Sequence, residues 1–117
     1  MELNEITYAG QPPIDAYGPG FFRVNEVLHD GPIAILPKGI TPWKGLSDWA
    51  VVIAAVADYD VIFVGVGAQI ALLPAAVKEQ LEKANVPYEV MATPAACRTY
   101  NVLLSEGRRV AIVAVPV

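Results

Sequence analysis

The chain has 117 residues, 55% of them hydrophobic and 17% charged, with a formal net charge of −4. That length is enough to bury a core without covalent staples, and that composition excludes a disordered chain. Twelve Asp and Glu against eight Lys and Arg argue against general nucleic-acid binding and against an electrostatic grip on anionic lipid, since both need clustered cations.

A single cysteine cannot close an internal disulfide, so no oxidising compartment is implied. Met1 to Glu5 is acidic where a secretory or mitochondrial leader would be basic. The longest uncharged apolar runs, Trp49 to Ala57 and Val61 to Ala68, fall far short of the ~20 residues that span a bilayer. The expectation is a cytoplasmic, soluble protein of one domain, residues 1–117, without direct membrane insertion.

In chain order, Met1 to Gly20 carries Pro12, Pro13 and Pro19 and reads as an arm lying on the body, with a short strand near Ile6. Phe22 and Val24 alternate with Arg23 and Asn25, which predicts a strand with one buried face. Either Asn25-Glu26 or Asp30-Gly31 turns it into the apolar run Ile33 to Leu36. Pro37, Gly39 and Pro42 end that run and bring Trp43 to a loop. Ser47 is a candidate N-cap for a helix with Trp49, Val52, Ile53 and Val56 on one face.

Val61 to Val64 is β-branched and continuous, the pattern of a strand covered on both sides. Gly65-Val66-Gly67 follows, then a helix from about Pro74 to Ala84 that buries Val77, Leu81 and Ala84 and pairs Glu79 with Lys83. Pro87 forbids its continuation, and Tyr88 to Met91 is the next strand. Thr93 caps a further helix, with Pro94 in the first position and Gly107 as the left-handed stop. At about 100° per residue its Ala96, Tyr100, Leu103 and Leu104 share a face, with Arg98, Asn101 and Ser105 opposite and Cys97 on the seam. Arg108 to Val115 is the last strand. Successive strand–helix–strand units predict parallel pairing and right-handed crossovers.

Several segments together resemble a known family. They are Asp15-Ala16-Tyr17-Gly18, Phe22-Arg23-Val24-Asn25, Pro42-Trp43, Gly65-Val66-Gly67, Ala95 to Leu103 and Glu106 to Val110. The resemblance is to a small family of unknown molecular function that includes bacterial and archaeal stand-alone proteins and the mitochondrial respiratory complex I assembly factor 3. It implies a three-layer α/β domain with a mixed central sheet flanked by helices, the N-terminal arm and a β-hairpin packed on it. It also implies no established enzymatic activity and, for the mitochondrial relatives, assembly of membrane complexes through protein contacts. The family often has Gly-Thr-Gly where this chain has Gly65-Val66-Gly67, so a hydroxyl is missing here.

The candidate binding residues are Gly65, Gly67, Thr93, Cys97, Arg98 and Asn101, around the strand end and the start of the Thr93 helix. Amides of Ala95 and Ala96 there could receive a small anion, with Arg98 gripping it. Cys97, near the positive end of the helix dipole and beside Arg98, is either a reactive thiol or a small buried hydrophobe. The glycines match neither a dinucleotide fingerprint nor a P-loop, so no cofactor is expected. His29 is alone, Asp58 and Asp60 precede their strand, and no metal cluster has ligand spacing. Trp43 is either an exposed interface anchor or a cover for the sheet edge. With no nucleophile–base pair in view, the leading expectation is a non-catalytic assembly module with a protein partner. The alternative is a small-molecule or anion-binding protein, an enzyme included.

Overall fold

In the computed structural model, residues 11–117 are described; the strand expected near Ile6 lies outside them. An antiparallel meander comes first: β1 (Ala16–Gly18), β2 (Phe21–Val24) and β3 (Val27–Asp30). Asn25 and Glu26 both take positive φ, 52° and 65°, the left-handed pair whose twist suits a two-residue hairpin. The other candidate turn is used too, since Gly31 at φ 81° carries the chain from the meander into the second sheet. β3 was not expected. Its side chains are mostly exposed, so no apolar pattern marks it, and it is held by its ladder with β2.

The second sheet begins with a hairpin of β4 (Ile33–Leu36) and β5 (Gly39–Thr41), the latter also unforeseen. Then come α1 (Ala50–Ala54), a 3-10 turn at Val56–Asp58, β6 (Val61–Gly65), α2 (Ala75–Lys83), β7 (Tyr88–Met91), α3 (Thr93–Ser105) and β8 (Val110–Ala114). The strand order is β5-β4-β8-β6-β7. β6 runs parallel to both β7 and β8, whereas β4 is antiparallel to β8, so the sheet is mixed.

The crossover from β6 to β7 through α2 moves outward, and that from β7 to β8 through α3 moves back across β6. With both crossovers right-handed, the two helices must cover opposite faces. They do. Ala34, Leu36, Ile62, Val64, Ala111 and Val113 pack with Trp49, Val52 and Leu81 of the α1–α2 side. Ile33, Ile35, Phe63, Val110, Ile112 and Ala114 pack under Ala96, Cys97 and Tyr100 of α3 and Phe22 and Val24 of the meander. Covering on both faces is why these strands are continuously apolar. The architecture is the three-layer α/β arrangement expected, with arm and meander on the α3 side.

α1 departs from expectation. Ser47 caps nothing, and Trp49 stands at the N-cap, its side chain making no bond to the helix's free amides. The preceding loop is organised around a tryptophan pair instead: the rings of Trp43 and Trp49 meet edge-on, 5.7 Å apart at 72°. Trp49 Nε1 donates to Leu46 O at 2.7 Å, Trp43 Nε1 donates to Asp48 O, and the Asp48 carboxylate accepts from Lys44 N at 3.0 Å. These bonds hold residues 43–49 in a loop and shorten the helix. α3 ends as predicted, for Gly107 takes φ 80° and its N–H and that of Arg108 reach Leu104 O and Leu103 O, both at 3.0 Å. That pair of bonds is a Schellman stop.

Candidate functional site

Gly65, Gly67 and Thr93 meet where β6 ends and α3 begins. Ala92, not Thr93, is the N-cap residue, which frees the Thr93 hydroxyl for the strand end. Thr93 Oγ1 accepts from Gly67 N at 2.9 Å and donates to Val115 O at 2.7 Å, while Thr93 N donates to Gly67 O at 2.7 Å. The threonine is fully buried. A methyl group on Gly65 would lie 2.9 Å from both Ala114 Cβ and Thr93 Oγ1, so only glycine lets the helix start this close to the sheet. Gly67, at φ 117°, turns the chain out of the strand. The three residues form one welded junction. Of the two amides expected to face an anion, those of Ala95 and Ala96, that of Ala96 donates to Ala92 O at 3.0 Å.

Cys97 lies inside the buried stripe of α3 rather than on its seam, packed with Phe63, Ile112 and Tyr100. Burial pushes its thiol up to about 12, opposite to the activation that a helix N-terminus and Arg98 would supply. Arg98 itself is exposed. Asn101 is not on a solvated face: its Oδ1 accepts from Ile14 N at 2.9 Å and its Nδ2 donates to Ile14 O at 2.8 Å. It pairs with the arm as a neighbouring strand would. Tyr100 extends the clasp, donating to Pro12 O at 2.7 Å, and Gln11 Nε2 donates to Val110 O. Burial raises the Tyr100 hydroxyl well above its ordinary range. Cys97, Arg98 and Asn101 border a shallow cleft of about 290 Å³ with Asp15, Tyr17 and Val102.

Trp43, one of whose readings was an exposed anchor, is 5% exposed and part of the α1-side core; its exposed neighbours on either side are Pro42 and Lys44. It lines, with His29, Asp30 and Thr41, a cleft of about 460 Å³ between the meander and β5. Asp60 accepts from Arg109 Nε at 3.3 Å at the opposite end of β6 from Gly65. Among the described residues no three His, Cys, Asp or Glu side chains gather where they could hold a metal ion, and no helix is long and apolar enough to cross a membrane.

Sequence reasoning missed two features. The arm's clasp on Asn101 and Tyr100 had no local signal, because its partners are 87 and 88 residues apart. The loop before α2 exposes Ile70 at 69% and Leu72 at 91%. That one was readable: Ile70-Ala71-Leu72-Leu73 is an apolar run outside any helical or strand periodicity.

Residues 14–115 match the model of a family described as a protein of unknown function (DUF498/DUF598). The chain is 44% identical over 116 residues to an uncharacterised protein of Rhodobacter capsulatus, covering 99% of this chain and 94% of that one. It is 34% identical over 110 residues to NADH dehydrogenase (ubiquinone) 1 alpha subcomplex assembly factor 3 of Danio rerio, covering 88% of this chain. It spans 63% of that assembly factor's length. Among solved structures, an outer membrane protein from Bartonella henselae superposes with a TM-score of 0.83 at 34% identity, over 94% of this chain and 98% of that one. A Bordetella pertussis protein described as an Mth938-like domain superposes with a TM-score of 0.69 at 27% identity, over 99% and 91%. The fold is Mth938-like.

Proposed function

This chain belongs to the DUF498/DUF598 family of proteins of unknown function, and from that premise we propose that it is a non-catalytic assembly module acting through protein contacts. The observation that carries the reading is the 34% identity to a complex I assembly factor across 88% of this chain. The geometry supports it. Thr93, Tyr100 and Asn101, the polar groups of α3 best placed for chemistry, each bond to the chain's own backbone, and the Cys97 thiol is desolvated. Around them stands a rigid body with apolar side chains on its surface, Tyr17 and Val102 beside the α3 cleft among them.

The test is to tag the chain at its native level in its own host, crosslink in living cells and identify what is recovered. Reproducible recovery of subunits of one membrane complex is the expected result. Recovery of no reproducible partner under conditions that preserve such complexes sinks the proposal.

A second reading, a small-anion site, rests on exposed Arg98 at the rim of the α3 cleft. An anion at 100 times its Kd would stabilise the fold by about 2.7 kcal/mol. A thermal-shift series of carboxylates and phosphates that moves nothing removes it.

A further inference from the structure

β7 stands at one end of the strand order, with β6 on its inner side and no other described strand beyond it. Ile62 N donates to Pro87 O at 2.9 Å and Val66 N to Met91 O at 3.0 Å. The period of two in a parallel ladder then turns Glu89 toward β6 as well, and leaves Tyr88 and Val90 with N–H and C=O pointing outward. The side chains of Tyr88 and Val90 lie on the α2 face of the sheet, packed against its core. Glu89 projects to the other face and is exposed. On the α2 face, Ile70, Leu72, Leu73 and Lys78 join Tyr88 and Val90 around a groove of about 240 Å³. An unpaired edge beside exposed apolar side chains is a template for another strand.

A second copy of this chain is a poor occupant, for an electrostatic reason. The symmetric antiparallel pairing that uses all four outward groups sets Tyr88 opposite Val90 of the other copy, and so sets Glu89 directly opposite Glu89. Like charges at that spacing destabilise a ladder. Sliding the register by one pair calls on Val86, whose N–H already donates to Leu81 O at 3.0 Å, or on Ala92, whose C=O already accepts from Ala96 N at 3.0 Å. Glu89 therefore discourages self-pairing and favours a cation opposite it.

We propose that the β7 edge and the Ile70–Leu73 loop accept an extended strand of a partner protein that carries a Lys or Arg opposite Glu89, with apolar residues on either side of it. Those two flanking side chains point to the α2 face, toward Tyr88, Val90, Ile70 and Leu72. The inference rests on the assembly reading and names the surface and the chemistry by which a partner is held.

The probe is a capped pentapeptide, Thr-Val-Lys-Val-Thr, compared with its twin carrying Glu at the centre, titrated into the full chain while backbone amides are followed by NMR. The lysine peptide is expected to shift the Tyr88 and Val90 amides, protect them from exchange and bind about tenfold tighter than its twin. In Glu89→Lys the preference inverts. No perturbation of Tyr88 and Val90 by either peptide at millimolar concentration, or a preference that Glu89→Lys leaves unchanged, overturns the proposal. So does a wild-type dimer joined through residues 88–91, which would assign the edge to a second copy. Val90→Pro removes one outward N–H and no bond to β6, so it should fold. If a cellular partner is crosslinked equally by wild type and Val90→Pro, the assembly reading stands and this inference falls; if the peptide binds as stated and no partner is recovered, the reverse holds.

Discussion

Thr93→Val is the sharpest test of the β6–α3 junction, because it keeps shape and β-branching and removes a single hydroxyl. In the wild type that hydroxyl serves Gly67 N at 2.9 Å and Val115 O at 2.7 Å, at a residue with no exposure. A typical hydrogen bond contributes about 0.5–1.5 kcal/mol net, and a buried group left without its partner costs about 1–3 kcal/mol. Thr93→Val should therefore lose about 2–4 kcal/mol, whereas Thr93→Ser, which keeps the hydroxyl and gives up one methyl, should lose about 1 kcal/mol. Urea denaturation followed by circular dichroism measures both, and with a slope of about 2 kcal/mol per molar the valine midpoint should fall by about 1–2 M. The expected order of stability is Thr, Ser, Val. If valine equals or exceeds serine, the hydroxyl is not what welds strand to helix, and the account of this junction is wrong.

Gly65→Ala tests the same junction from the other side: a methyl 2.9 Å from Ala114 Cβ and Thr93 Oγ1 should cost about 1–3 kcal/mol by overpacking, and an unchanged urea midpoint would contradict it. For Cys97 the unfolded thiol gives up its proton near its ordinary 9.0, while the folded one holds it to about 12, so the unfolded state binds fewer protons between those values and stability falls as pH rises. Its share of the slope is about 1.4 kcal/mol per pH unit. Cys97→Ala removes that share, so the stability gap between wild type and variant should be constant below pH 8 and narrow from pH 9 to 11; a gap that stays constant refutes the burial argument. Tyr59, also pushed up to about 12, acts in the same direction in both proteins and cancels from the difference. Asn101→Asp keeps the acceptor for Ile14 N and loses the donor to Ile14 O, so hydrogen exchange at Ile14 and proteolysis near Pro13 should both accelerate, while the β8 amides stay protected.

Much of the fold was legible because its strongest signals are local. Val61 to Val64 and Val110 to Ala114 are continuous apolar β-branched runs, and each became a strand covered on both faces. Pro94 and Gly107 bracketed α3 because a missing N–H and a positive φ are properties of single residues. The errors arose where a segment's environment comes from elsewhere. β3 is exposed and carries no pattern of its own. Ser47 looked like a cap until the two tryptophans drew residues 43–49 into a loop.

The candidate site divides the same way. Gly65 and Gly67 could be expected near Thr93, although Gly67 and Thr93 are 26 residues apart, because parallel pairing sets the ends of β6 and β7 side by side and α3 starts directly after β7. The roles of Cys97 and Asn101 could not: a thiol beside an arginine near a helix start reads as activated until the meander and β8 close over it, and an asparagine on a polar face reads as solvated until Ile14 arrives from 87 residues away.

The amino-acid sequence alone was enough to place the apolar strands of the second sheet, the two longer helices and the stop of α3 at Gly107, and to show that helices cover the sheet, since periodicity and backbone chemistry act within a few residues. Which side chains lie in water, which polar groups are already partnered and which sheet edge stays open were settled by the packing of distant segments. Solvation and hydrogen bonding depend on what packs alongside, and here the neighbours come from opposite ends of the chain.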